Sequence, residues 1–237
     1  MARRQRINTT RLLDRDYEIL EHLMTYRVTT REVLHRQFFA DADLNAVSKV
    51  TTRLVDSEHL ARHEFLANAV YFTFGRLGAK RFHVPARCTL PLGPQSLYTQ
   101  FGILGYCFGE KPHRTRLRVA TIQEKHPELL MKDVTASQYV VDASTTPSLL
   151  SFIRVDGGGT NDHVLRKIEA DIKCRLEIPL CASLIQAGRF QIACVTFTEE
   201  KKKDLERKIP GQKFPCAVTV EVVPILRDLL AVLRDTL

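Results

Sequence analysis

The stretch FIRVDGGGTNDHVLRKI (152–168) carries the residue types best suited to chemistry. An apolar run ends on Asp156, three glycines follow, and Thr160 opens a strongly periodic helix. Upstream, QYVVDA (138–143) brings another apolar run to an acid, Asp142. Two carboxylates supplied by neighbouring strands can hold Mg²⁺, which activates a water and stabilises a charged phosphoryl transition state. Asp142 and Asp156 are therefore the candidate catalytic pair of a metal-dependent DNA endonuclease or nickase. Strand alternation puts Arg154 on the same side as Asp156. A guanidinium among carboxylates competes with the metal and pairs with one of them instead. The expected centre is thus degenerate: the chain needs no cofactor, and Mg²⁺ enters only if the pair is active.

Other motifs offer less. Gly157, Gly158 and Gly159 ahead of Thr160 can bind a phosphate through free amides, but a glycine turn with Thr160 as helix cap accounts for them without a ligand. His59 and His63 have the four-residue spacing of a zinc pair, with no third ligand near in sequence. Tyr71, Tyr98 and Tyr106 fit strand and helix packing rather than nucleophilic attack on DNA.

These residues must be positioned by an alternating second half. Apolar runs at 116–122, 138–143, 149–156, 189–197 and 216–223 read as strands. Periodic segments at 95–108, 160–176, 199–209 and 225–237 read as helices. Helix, three strands, helix, strand is an α/β order with a mixed sheet, and it is the order of restriction-endonuclease-like domains.

The first half differs. Leu13, Tyr17, Leu20 and Met24 follow helical spacing, widened by Leu12, Ile19 and Leu23. Thr29 and Thr30 offer caps for a second helix burying Val33, Leu34 and Phe38. Asp43 caps a third with Val47, Val50 and Leu54 inward. LARHEF (60–65) and VYFTF (70–74) form a hairpin, and 75–84 adds a short basic helix. Three helices and a hairpin are the order of a winged helix-turn-helix, whose third helix enters a major groove while the wing follows the backbone. Its candidate DNA contacts are Thr30, Arg31, Asn45, Ser48, Lys49, Thr52, Arg53, Arg62 and His63, joined by Arg3, Arg4 and Arg6 of the N-terminal arm. The basic run KPHRTRLR (111–118) either extends the same face or is an ordinary solvated edge.

The domain organisation expected is a flexible basic arm (1–10), a winged helix (11–84), a Pro-containing linker (85–94) and a nuclease-like α/β domain (95–237); the whole is α+β. The 237-residue chain carries a net charge of +8, which points to an anionic partner such as nucleic acid. Its six cysteines form no CxxC pair and read as reduced thiols of a cytoplasmic protein. No apolar stretch approaches the roughly 20 residues of a membrane helix.

The segments DRDYEILEHL, RVTTREVLHRQFF, TTRLVDSEHLARH and VYFTFGRLGAKRF, followed by VVDA and FIRVDGGGTNDHVLRKI, resemble the replication-relaxation proteins of plasmids and integrative elements. That family is related to some conjugative relaxases. Its PDA strand corresponds here to VVDA, with Val141 for the proline. Its E-x-D-x-G-T strand and turn correspond to the segment ending at Thr160, with Arg154 where the family has glutamate. The resemblance implies a double-stranded-DNA-binding protein of a mobile genetic element, acting in its transfer, replication or transcriptional control, with homodimerisation and a protein partner both in scope. The alternatives are a nickase using Asp142 and Asp156, or an interaction adaptor in a DNA-processing complex.

Overall fold

The structure is a computed structural model and describes residues 11–66, 69–109, 113–130 and 138–235. It divides into two compact units, Met1–Gly93 and Pro94–Leu237.

In the first unit, α1 (Asp14–Tyr26), α2 (Arg31–Phe38) and α3 (Leu44–Asp56) precede a hairpin of β1 (Leu60–Leu66) and β2 (Ala69–Phe74), then α4 (Arg76–Arg81). Local chemistry sets the helix starts. Thr30 Oγ1 accepts from Val33 N at 3.3 Å and Asp43 Oδ1 from Ala46 N at 2.8 Å, each satisfying an amide that a helix start leaves orphaned. Thr29 exchanges both backbone hydrogen bonds with Phe72, an isolated antiparallel bridge that ties the start of α2 to the hairpin. Ile19, Leu20, Leu23, Leu34, Val47, Leu54, Phe72 and Phe74 form the core.

Helix α1 buries Ile19, Leu20 and Leu23 as its spacing suggested, but not the whole stripe. Leu13 is 61% exposed and Met24 is also exposed, whereas Asp16, Ile19, Leu20, Leu23 and Tyr26 are buried. The buried stripe includes Asp16 because a cation from α3 meets it, so hydrophobicity alone misplaces the stripe. The stretch 85–94 is also not a free linker. Residues Ala86–Thr89 form a 3₁₀ turn against α4 and β2, and Leu92 N donates to Tyr71 Oη at 3.0 Å.

In the second unit, α5 (Pro94–Phe108) leads to β3 (Arg114–Arg116), α6 (Val119–Lys125), β4 (Tyr139–Asp142) and β5 (Leu149–Val155). Then come α7 (Asn161–Leu176), α8 (Pro179–Gln186), β6 (Phe190–Thr196), α9 (Glu199–Lys208), β7 (Ala217–Val222) and α10 (Ile225–Asp235). The five strands lie in chain order, with β3, β4 and β5 antiparallel and β5, β6 and β7 parallel. This is a mixed sheet, as the strand and helix order predicts.

One face of the sheet packs Phe152, Ile192, Cys194 and Val220 with Ile168 and Ile172 of α7. The other face meets α5. A Cβ on Gly102 would come 2.6 Å from Val155 Cγ2, and one on Gly105 would come 2.5 Å from Val223 Cγ1. The two glycines therefore set how closely α5 approaches the strands.

The strand expected at 116–122 ends at Arg116. Its partner β4 is four residues long, and the pairing closes where Leu117 N donates to Tyr139 O at 2.9 Å; the chain then turns into α6 and buries Ile122. Helix α8, with Pro179 at its first turn and Cys181 and Ile185 inward, had no counterpart in the sequence reading. No helix among the described residues is long and apolar enough to cross a membrane.

Candidate functional site

Asp142 and Asp156 do not share a centre. In the antiparallel β4–β5 pair, Asp142 lies opposite Leu149, the first residue of β5, whereas Asp156 follows its last. Seven residues at about 3.3 Å each separate those two levels by roughly 20 Å. The two side chains also face opposite sides of the sheet, Asp142 with the residues that meet α5 and Asp156 with those that meet α7. The expected metal pair is corrected on both counts, and with it the reading that placed a shared Mg²⁺ there. Among the described residues no group of three or more His, Cys, Asp or Glu side chains is gathered for a metal.

Each aspartate has its own partners. Asp142 Oδ2 accepts from Arg114 Nε at 3.2 Å, and Oδ1 from the amide of Ser144 at 2.9 Å and from its hydroxyl. Burial alone would raise its pKa; the Ser144 donors and then the Arg114 guanidinium outweigh that and hold it below the usual carboxylate value. Arg114 also engages Glu221 through both terminal nitrogens, donates to Tyr106 O at 3.0 Å, and lies 3.8 Å from the centre of the Tyr106 ring. Arg116 donates to Gln100 Oε1 at 2.7 Å. Two of the three arginines of the 111–118 run, Arg114 and Arg116, are thus buried against α5 and present no charge to a nucleic acid, while Arg118 is half-buried; Lys111 and Pro112 lie outside the described residues.

Asp156 is 2% exposed, yet its carboxylate is fully engaged. Oδ1 accepts from Gly158 N at 3.0 Å; Oδ2 accepts from Thr196 Oγ1 at 3.2 Å and pairs with Lys201 Nζ at 2.7 Å. Gly158 takes φ 85°, a conformation that favours glycine. Arg154 shares this side of β5, as alternation predicts, but it does not stand between the two aspartates. It pairs with Asp171 of α7, through Nε at 2.6 Å and through Nη2. Asp171 also meets the buried Arg175, 3.5 Å away. A recess of about 150 Å³ opens here, lined by Arg154, Asp156, Gly157, His163 and Lys167 among others.

The first unit has the other concentration of polar groups. Asn45, Lys49 and Thr52 are exposed, and Ser48 half-exposed, along one face of α3, as their spacings of three and four require. Arg31 Nη1 donates to Ser48 Oγ at 3.4 Å. A second recess, about 200 Å³, is lined by Arg31 of α2, by Ser48, Thr51 and Thr52 of α3, and by Arg62 of β1. Its apolar floor is Val55, Val70 and Phe72.

Three expected contacts have structural duties instead. Thr30 is the cap of α2. Arg53 Nη2 pairs with Asp16 Oδ1 at 2.5 Å. His63 packs on Tyr71, 5.0 Å between ring centres, and hydrogen-bonds Thr73 Oγ1 at 2.9 Å; burial pushes its pKa below the usual imidazole value. His59 is buried and bonded to Ser57 Oγ at 3.0 Å, apart from His63, so the two form no zinc pair. Arg3, Arg4 and Arg6 lie outside the described residues.

The sequence reading missed Lys201 as the partner of Asp156 and Asp171 as the partner of Arg154. The second had a weak signal, an acid on the buried stripe of a helix. No family model, curated protein or solved structure matches the chain.

Proposed function

We propose that the chain binds double-stranded DNA through its first unit, folded as a winged helix-turn-helix. Helix α3 would enter the major groove and the β1–β2 hairpin would lie along the backbone. The observation that carries this reading is the 200 Å³ recess, where Arg31, Ser48, Thr52 and Arg62 from three separate elements converge beside the exposed Lys49. Guanidinium, ammonium and hydroxyl groups on one surface are what phosphates and base edges demand. The net charge of +8 supports the same partner.

The resemblance noted in the sequence supplies the setting: transfer, replication or transcriptional control of a mobile genetic element. The second unit is then a nuclease-like frame without the paired-aspartate centre. The test is selection of bound duplexes from a random library, followed by anisotropy titration at fixed, stated salt. Lys49→Ala combined with Arg62→Ala is expected to weaken binding at least tenfold, since charged contacts contribute about 1.5–3 kcal/mol each. Unchanged affinity in that folded variant would remove the reading.

A further inference from the structure

We propose that the recess at the carboxyl end of β5 is a binding site for a phosphate group. Resting on the DNA-binding reading, we infer that in the complex it takes a backbone phosphate.

The charge balance of the recess leads there. The one acid lining it, Asp156, is committed to Lys201, Thr196 and Gly158, and Asp171, which lies behind Arg154, is committed to Arg154 and Arg175. Against these two carboxylates stand four cations: Arg154, Lys167, Arg175 and Lys201. Of the four, Arg154 and Lys167 line the recess, while Arg175 is fully buried behind it. Lys167 is exposed and has no ion-pair partner among the described residues. Arg154 uses Nε and Nη2 on Asp171, and its Nη1 has no protein partner among the described residues.

A guanidinium fixed along one edge by a carboxylate, itself braced by a second arginine, is preorganised to present its remaining N–H groups. The rim is open as well: beside Gly157, nothing lies within 4 Å of where a Cβ would sit. The volume of about 150 Å³ is several times the roughly 30 Å³ share of one water, enough for a tetrahedral oxyanion and its hydration. A divalent cation is disfavoured by the same balance, since no carboxylate oxygen there lacks a donor.

The test uses the full chain and inorganic pyrophosphate. Amide and Arg Nε NMR signals are followed for Gly157, Gly159 and Arg154, in the wild type and in Lys167→Glu and Lys167→Arg. Saturable shifts are expected in the wild type and in Lys167→Arg, weakened about tenfold or more in Lys167→Glu. Absence of saturable shifts, or equal shifts in Lys167→Glu, would overturn the site.

Duplex titrations across salt give a second readout. Losing one phosphate contact makes the slope of log K against log salt less negative by about 0.9. Pyrophosphate binding that depends on Lys167, with no duplex bound, keeps the site and defeats the DNA reading. Duplex binding that depends on Lys49 and Arg62 but not on Lys167, with no pyrophosphate response, does the reverse.

Discussion

Arg53 of α3 reaches back to α1 and pairs with Asp16, Nη2 to Oδ1 at 2.5 Å, where the carboxylate is 1% exposed. Asp16 Oδ2 also accepts from Leu13 N at 2.8 Å, closing the start of α1. The arginine that spacing assigned to DNA therefore orients the third helix against the first.

Removing either partner has unequal consequences. Arg53→Ala leaves a buried carboxylate without its cation and is expected to cost about 3 kcal/mol. Asp16→Ala forfeits the cap and the pair, but Arg53, 31% exposed, regains water; about 1–2 kcal/mol is expected. Urea denaturation of both variants checks the order, and the reverse order would contradict it. Lys49→Ala, by contrast, should leave stability within about 0.5 kcal/mol of wild type.

Asp142 and Asp156 should behave as independent sites. Asp142→Asn and Asp156→Asn are each expected to destabilise, because each carboxylate accepts from cationic and neutral donors. Residues this far apart without shared partners combine additively to within about 0.5 kcal/mol. A coupling energy above 1 kcal/mol in the double variant would mean that they communicate.

Most of the secondary structure was legible, because buried periodicity and caps are local. Asp43 and Thr30 announced their helices, and the run 149–156 announced β5. The site was less so. Which end of β5 receives Asp142 depends on strand direction, which the residues of VVDA do not encode. The partners of Arg154 and Asp156 lie 17 and 45 positions downstream, and spacing says nothing about contacts made through tertiary packing. The strand expected at 116–122 is displaced: the alternation belongs to Arg114–Arg116, with both arginines turned inward, and from Arg118 the chain caps α6, a shift that hydrophobicity alone does not show.

Burial holds His22 near a pKa of about 4. Folding therefore disfavours the protonated ring. Its contribution is complete above the unfolded value of about 6.5 and is lost as pH falls from there toward 4. The loss amounts to about 3 kcal/mol at most. Stability measured by urea midpoints should decline over that window, and His22→Leu should flatten the decline. An unchanged slope in the variant would assign it to other groups.

Gly102→Ala is expected to destabilise by about 1–3 kcal/mol, since its Cβ would overlap both methyls of Val155. Val155→Ala in the same chain should recover part of the loss. Equal destabilisation with and without the valine would show that the close approach of α5 is not what the glycine serves.

β5 joins two kinds of neighbour. It reaches β4 across residues 143–148 but reaches β6 only after α7 and α8 have been laid down. Closing the short connection costs less chain entropy than closing the long one. The strand is thus the seam between an early meander and a late-arriving parallel half. In pulse-labelled hydrogen exchange, the β4–β5 amides should gain protection before those of β6 and β7.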